Sequence, residues 1–212
     1  TKDVIVTVLD VDEAPVFVSP TQFNIDENIL EVGTIEATID TNVPNERIDQ
    51  FTIAYNLDSE FFEIINVNNP INTSANTHTA TLKFKDTADF EQKDTYQVTV
   101  VATDKHGFGG NQTFTASQIV TVTLNDLNDE APVFTSDASF ALAEGVTEVT
   151  SLATTDADAE SEVTYSITGG ADEASFELTE AGVLTLALTS DFESGKTSYE
   201  VMDLIQKIND EG

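Results

Sequence analysis

The chain has 212 residues, 39 of them acidic against 8 Lys and Arg, for a formal charge of −31. Such a surface repels phosphate, which excludes nucleic acid as a partner and disfavours anionic membranes. There is no run of 18 apolar residues to insert directly into a bilayer, and no cysteine for disulfides, thiolate catalysis or Cys-bound zinc. The N-terminus is not signal-like, so the chain is read as a segment of something larger.

Val4-Ile5-Val6-Thr7-Val8 opens the chain as an alternating, strand-like run. Asp12-Glu13-Ala14-Pro15-Val16-Phe17 follows, then Phe23-Asn24-Ile25-Asp26-Glu27 and Ala37-Thr38-Ile39-Asp40-Thr41-Asn42. Thr52-Ile53-Ala54-Tyr55 reads as a further strand, and Asp89-Phe90-Glu91 precedes Tyr96. Tyr96, Val98, Val100 and Ala102 alternate onto one face. Residues 113–124 are rich in Thr, Val and Ile, which suit a half-buried pleated surface. Asn, Asp, Gly and Pro clusters at 40–46, 66–76 and 105–112 read as turns or loops. The Asn-rich 65–79 stretch reads as a long loop and a candidate contact surface.

The series then repeats in the same order. Ile119-Val120-Thr121-Val122-Thr123-Leu124 echoes the opening run, and Asp129-Glu130-Ala131-Pro132-Val133-Phe134 echoes residues 12–17. Phe140–Glu144, Ala153–Asp158, Val163–Ser166 and Asp191-Phe192-Glu193 with Tyr199 complete the match. Two units of many short strands with little helix imply tandem antiparallel sandwiches. The carboxylates concentrate at the recurring turns, where acids within ~5 Å repel unless a cation or proton joins them. Asp, Glu, Asn and main-chain carbonyl oxygens, six to eight per ion, are what Ca²⁺ prefers.

The ordered set Asp-x-Asn-Asp-x-Ala-Pro-x-Phe, the early Glu, the Asp-x-Asp turn, the Asp-x-Glu and Tyr-x-Val-x-Val-x-Ala-x-Asp resembles the cadherin repeat over residues 1 to ~201. With no Cys and with Glu at the linker, it is most similar to the cadherin-like repeats of bacterial surface adhesins. The resemblance implies an all-β fold of two tandem Greek-key, immunoglobulin-like sandwiches. Residues 1–13 would be the tail and linker of a preceding repeat, 14–126 the first repeat, 127–131 a calcium-binding linker and 132–212 the second repeat. It also implies Ca²⁺ between consecutive repeats and a role in adhesion or spacing, extracellular or at the cell surface, within a membrane-anchored parent protein. The implied partners are neighbouring repeats of the same chain, with self-association or a cell-surface protein or glycan beside them.

Carried over by position, a central calcium junction would draw on Glu27, Asp89, Glu91, Asp126, the Leu127 carbonyl, Asn128, Asp129, the Glu130 carbonyl, Asp156 and Asp158. Asp10, Asp12, Asp40, Asn42 and Asp104 would face an N-terminal neighbour, and Glu144, Asp191 and Glu193 a C-terminal one. The first linker is one residue shorter than the second, and Asn42 replaces an Asp, so the N-terminal site is expected to be weaker. The Tyr-x-Val-x-Val-x-Ala-x-Asp pattern fails after Val201, and Lys207 stands where its final Asp would fall. Val201, Leu204, Ile205 and Ile208 follow helical spacing instead. Either the second unit is cut, or its missing edge is supplied by another molecule, or a helix caps it.

No enzymatic site emerges. His78 and His106 lie in polar stretches without catalytic or zinc-binding company and read as surface residues. The Asp-x-Glu pairs lack the aromatic cleft of a glycosidase, and Gly107-Phe108-Gly109-Gly110 lacks the Lys of a phosphate loop and reads as a hairpin turn. Asn72-Thr73-Ser74 and Asn111-Gln112-Thr113 satisfy the glycosylation pattern. Glu46, Asp49, Asp172 and Glu173 read as solvated loop charges. A carbohydrate-binding module is the alternative function, weakened because Tyr55, Tyr96, Tyr165 and Tyr199 read mostly as core positions rather than a sugar platform. A passive spacer is the other.

Overall fold

The alternating runs at Tyr96–Ala102 and within 113–124 form strands in the computed structural model, which describes residues 2–8, 13–39, 47–68, 77–105, 113–158 and 162–208; the strand-like run Val4–Val8 takes no regular secondary structure in it. The chain divides into Thr1–Asp126 and Leu127–Gly212.

The first unit contains β1 (Val16–Phe17), β2 (Gln22–Asp26), β3 (Glu31–Thr38), β4 (Arg47–Ile53), β5 (Phe62–Asn68), β6 (Thr77–Phe84), β7 (Thr95–Lys105) and β8 (Thr115–Asn125). They form two four-stranded sheets, ordered β1-β3-β6-β5 and β2-β8-β7-β4. All pairs are antiparallel except β2 with β8. The predicted inward face of β7 is buried: Tyr96, Val98, Val100 and Ala102 meet Val122, Val120, Gln118 and Ala116 across the ladder. From the other sheet, Phe62 and Phe84 stack at 4.5 Å, and Tyr96 meets the edge of Phe84 at 5.0 Å. Burying each such side chain contributes about 1.5–3 kcal/mol.

The second unit contains β9 (Val133–Phe134), β10 (Glu148–Ser151), β11 (Thr154–Thr155), β12 (Glu162–Gly169), β13 (Phe176–Leu178), β14 (Val183–Leu186) and β15 (Met202–Ile208). Its sheets are smaller: β10-β14-β13, β11-β9 and β12-β15. Phe176 pairs with Leu186 where Phe62 pairs with Phe84 in the first unit. The helical spacing expected from Val201 onward is overturned. Met202–Ile208 pairs antiparallel with β12, as β7 pairs with β4, because ladder hydrogen bonds outweigh a short apolar period. Lys207 sits opposite Val163 in that ladder, as Asp104 sits opposite Ile48.

Other expectations change as well. His78 is no surface residue: it lies in β6 opposite Ala37 and is 1% exposed. The 65–79 loop is narrower than expected, because β5 runs to Asn68 and β6 starts at Thr77. Tyr55 is 98% exposed, since β4 ends at Ile53 and Tyr55 falls in the following bend. His106, the Gly107–Gly110 turn and both complete glycosylation triplets fall partly or wholly outside the described residues. No helix among the described residues is long and apolar enough to cross a membrane.

Candidate metal centre

In the first unit three acids converge. Glu27 follows β2, and its backbone N–H donates to the Asn125 carbonyl at the end of β8 (3.2 Å). Asn28 next turns the chain with φ 63° and donates to the Ala88 carbonyl (3.0 Å). Those two bonds bring the segment before Asp89 against the Glu27 turn. Phe90 N–H donates to Glu27 Oε2 (2.8 Å), and the Phe90 ring packs on the core. Glu27, Asp89 and Glu91 thereby place carboxylate oxygens within 4.8 Å of one another. Asp89 and Glu91 are brought together by a turn over Phe90–Gln92 rather than by strand alternation. Asp89 closes it by accepting the Gln92 backbone N–H (3.0 Å).

The electrostatics of this cluster are unfavourable as it stands. Glu27 is 1% exposed. Glu91 Oε1 is buried and has no hydrogen-bond partner among the described residues. Burial, then the charges of Glu27, Asp126 and Asp89, push the Glu91 carboxyl above its ordinary pKa. Asp126 and Glu91 also bring oxygens within 4.8 Å. A buried carboxylate oxygen among further carboxylates is a donor set that fits a hard divalent cation such as Ca²⁺.

The second unit ties its linker to its Asp-x-Asp turn. Glu130 N–H donates to Asp158 Oδ2 (3.1 Å), and Asp158 N–H donates to Asp156 Oδ1 (3.3 Å). Asp129 N–H donates to the Leu127 carbonyl (2.9 Å). Asp158 is buried, Asn128 and Asp156 are half-buried, and Leu127, Asp129 and Glu130 are exposed.

Of the N-terminal set, Asp10, Asp12, Asp40 and Asn42 lie outside the described residues. Asp104 is 0% exposed; it donates its N–H to the Phe114 carbonyl and accepts the Phe114 N–H (2.8 Å) on Oδ1. The C-terminal set, Glu144, Asp191 and Glu193, also gathers oxygens within 4.8 Å, with all three residues exposed. Asp191 Oδ1 accepts the Glu193 N–H (3.0 Å).

A second repeated device escaped the sequence reading. Asp58 accepts from Lys93 Nζ and the Gln97 N–H, with Lys93 over the Tyr96 ring at 4.7 Å. Asp172 accepts from Lys196 Nζ and the Glu200 N–H, with Lys196 over Tyr199 at 4.8 Å. Asp172 is therefore not a solvated loop charge. Burial pushes the Asp58 carboxyl up, yet the Lys93 and Gln97 bonds outweigh it and hold the pKa below the ordinary value. Bonds from Lys196 and Glu200 likewise lower that of Asp172. The signal was present as Asp-x-x-x-Phe at 58 and 172 followed by Lys-x-x-Tyr at 93 and 196.

Solved structures place this architecture. The protocadherin gamma B2 extracellular cadherin domains 1–5 superpose with a TM-score of 0.65 at 22% identity, covering 92% of this chain and 37% of that one. The protocadherin gammaB7 EC3-6 cis-dimer gives 0.64 at 22% identity, covering 93% and 50%. The fold is that of tandem cadherin repeats. Among sequences, the cadherin EGF LAG seven-pass G-type receptor 2 of Mus musculus is 31% identical over 204 residues, 89% of this chain. Protocadherin Fat 4 of Mus musculus is 34% identical over 207 residues, 91% of this chain. The chain spans about 6% and 4% of those two proteins. No family model matches. The relatives named are cadherins and protocadherins of animals, so the expected affinity to bacterial adhesins finds no support in them, and the carbohydrate-binding alternative is not favoured. The cadherin likeness assigns this segment to the extracellular space or the cell surface.

Proposed function

We propose that the chain is a calcium-stiffened adhesion or extender segment of a larger surface protein, without enzymatic activity. Ca²⁺ would be held by Glu27, Asp89 and Glu91, with Asp126, the Leu127 and Glu130 carbonyls, Asn128, Asp129, Asp156 and Asp158 as further ligands. Residues 14–126 and 132–212 would then be the two repeats and 127–131 their linker. The observation that carries this reading is the buried Glu91 Oε1, without a hydrogen-bond partner among the described residues, on a carboxylate that gathers within 4.8 Å of those of Glu27 and Asp89. The ion would supply charge neutralisation; the chain holds the ligands through the Glu27–Asn125 and Phe90–Glu27 bonds. Asp104 and the Glu144, Asp191 and Glu193 set would serve neighbouring repeats, and self-association or a cell-surface protein or glycan would complete adhesion.

Calcium titration followed by calorimetry and heteronuclear NMR tests the reading. Binding should shift the Glu27, Asp89 and Glu91 backbone signals and raise the melting temperature; at one hundred times Kd the gain is about 2.7 kcal/mol. Equal shifts in a Glu91→Gln, Glu27→Gln variant would sink the assignment.

A further inference from the structure

The turn that carries Asp89 and Glu91 is held at both ends. At its near end Phe90 N–H donates to Glu27 Oε2 (2.8 Å). Within it, the Asp89 carboxylate accepts twice from Gln92: from the backbone N–H on Oδ1 (3.0 Å) and from the side-chain amide on Oδ2 (2.6 Å). Lys93 N–H donates to the Asp89 carbonyl (3.1 Å) and closes the turn. At the far end the Lys93 ammonium meets the Asp58 carboxylate and lies over two rings, Tyr96 at 4.7 Å and Phe61 at 5.7 Å. Asp58 is itself fastened to β7: its N–H donates to the Gln97 carbonyl (2.9 Å), and its Oδ2 accepts the Gln97 N–H (2.8 Å). An unbroken series of contacts therefore runs from β7 through Asp58, Lys93 and Gln92 to the Asp89 carboxylate.

The clamp recurs in the second unit. Lys196 meets Asp172 and lies over the Tyr199 ring at 4.8 Å. Asp172 N–H donates to the Glu200 carbonyl (2.9 Å), and Asp172 Oδ2 accepts the Glu200 N–H (3.0 Å). Lys93 stands two residues beyond Asp89-Phe90-Glu91, and Lys196 three beyond Asp191-Phe192-Glu193. In both units the lysine thus follows the Asp-x-Glu pair and reaches back to an acid far earlier in the chain. Fastening Asp58 to β7 needs no lysine, since Asp58 already exchanges two bonds with Gln97. What the lysine adds is the tie to the turn that bears the acids.

We infer that Lys93 is a positioning residue for the cation site of Glu27, Asp89 and Glu91. Clamped to Asp58 over the Phe61 and Tyr96 rings, it holds the turn in the form that orients Asp89 and buries Glu91 Oε1. The inference rests on the calcium reading above and adds to it a residue that touches no ion. The sign of its effect separates positioning from simple charge. Removing a lysine from the neighbourhood of acids makes the local potential more negative, which by Coulomb's law alone tightens cation binding. Losing a contact that orients ligands weakens binding instead, because the turn frays and its carboxylates return to water.

Titration of the 212-residue chain with calcium chloride, followed by heteronuclear NMR at the Glu27, Asp89 and Glu91 backbone signals, tests it. K93M should weaken binding about tenfold. K93R, which keeps a cation for Asp58 and the rings, should recover most of that loss. K83M removes the same charge from the Lys83–Glu63 pair on β6 and should not weaken binding. In chelator, with no ion bound, K93M should also speed hydrogen exchange of the Gln92 amide, and K93R should not. A K93M chain that binds calcium as tightly as wild type or more tightly, a K93R chain that recovers nothing, or a K83M chain that loses as much as K93M overturns the inference and leaves the calcium reading standing. A wild-type chain whose three signals do not move overturns the calcium reading and this inference with it.

Discussion

Two acidic triads built from the same residue types differ in depth. Glu27, Asp89 and Glu91 are buried or half-buried, whereas Glu144, Asp191 and Glu193 are all exposed. The difference traces to the strand before each glutamate. Glu27 follows β2, which β8 pins along its whole length, and its own N–H donates to the Asn125 carbonyl. Glu144 ends a segment with no strand beside it among the described residues. Phe90 packs on the core, but Phe192 is 68% exposed. Identical ligand chemistry therefore gains its burial from sheet completion, and burial is what makes the first triad costly without a cation.

Core truncation should separate the units most. Phe84→Ala is expected to cost about 3–5 kcal/mol in the first unit, since the ring stacks on Phe62 and meets Tyr96. Leu186→Ala, at the matching position of the smaller second core, should cost less, about 2–3 kcal/mol. Hydrogen exchange resolved by unit would measure both, and equal losses would break the comparison.

Next in size are the triads themselves. Glu27→Gln should weaken calcium binding by about tenfold, or 1.4 kcal/mol. Glu144→Gln should change it less, and Glu173→Ala not at all. Isothermal titration reads all three, and a larger effect at Glu144 would reverse the ranking of the triads.

The Asp–Lys–Tyr device sharpens the contrast further. Asp58→Asn should destabilise the first unit by about 1 kcal/mol, a figure already reduced for its partial exposure. The Asp172→Asn loss should be smaller, because its partner Lys196 is more exposed than Lys93. Because the folded Asp58 pKa lies below its ordinary 3.8, its stabilisation is present above that value and fades as pH falls through the folded one. Acid melting curves of wild type and Asp58→Asn should therefore converge at low pH.

His78 gives the smallest effect. Burial holds its pKa below 6.5, so the unfolded chain binds the proton more readily than the folded one. Stability of the first unit should then decline as pH drops below 6.5, and His78→Gln should flatten that slope. A slope unchanged by the substitution would show that other groups set it.

Much of the first unit was legible because alternation and burial agree. The β7 face read directly from Tyr96, Val98, Val100 and Ala102. His78 did not, because polar neighbours mask a position whose depth is set by β3 and β5 on either side. The acids at 27, 89 and 91 were legible as residue types in a repeat order, yet the turn that gathers them depends on Asn28 and Ala88, far apart in sequence. Met202–Ile208 misled because four apolar residues fit a helical period, and only pairing with β12 decides between the two. Asp58 and Asp172 were missed because a lone acid looks solvated until its lysine, more than twenty residues on, folds back over it.

The parallel pairing of β2 with β8 also has a mechanical consequence. Five residues of each strand are in register, from Gln22 opposite Thr121 to Asp26 opposite Asn125. Tension that enters through the chain before Gln22 and leaves after Asn125 drags these strands past each other lengthwise. Their bonds then stretch together instead of unzipping singly, so the first unit should resist an end-to-end pull through the same two strands that bury Glu27.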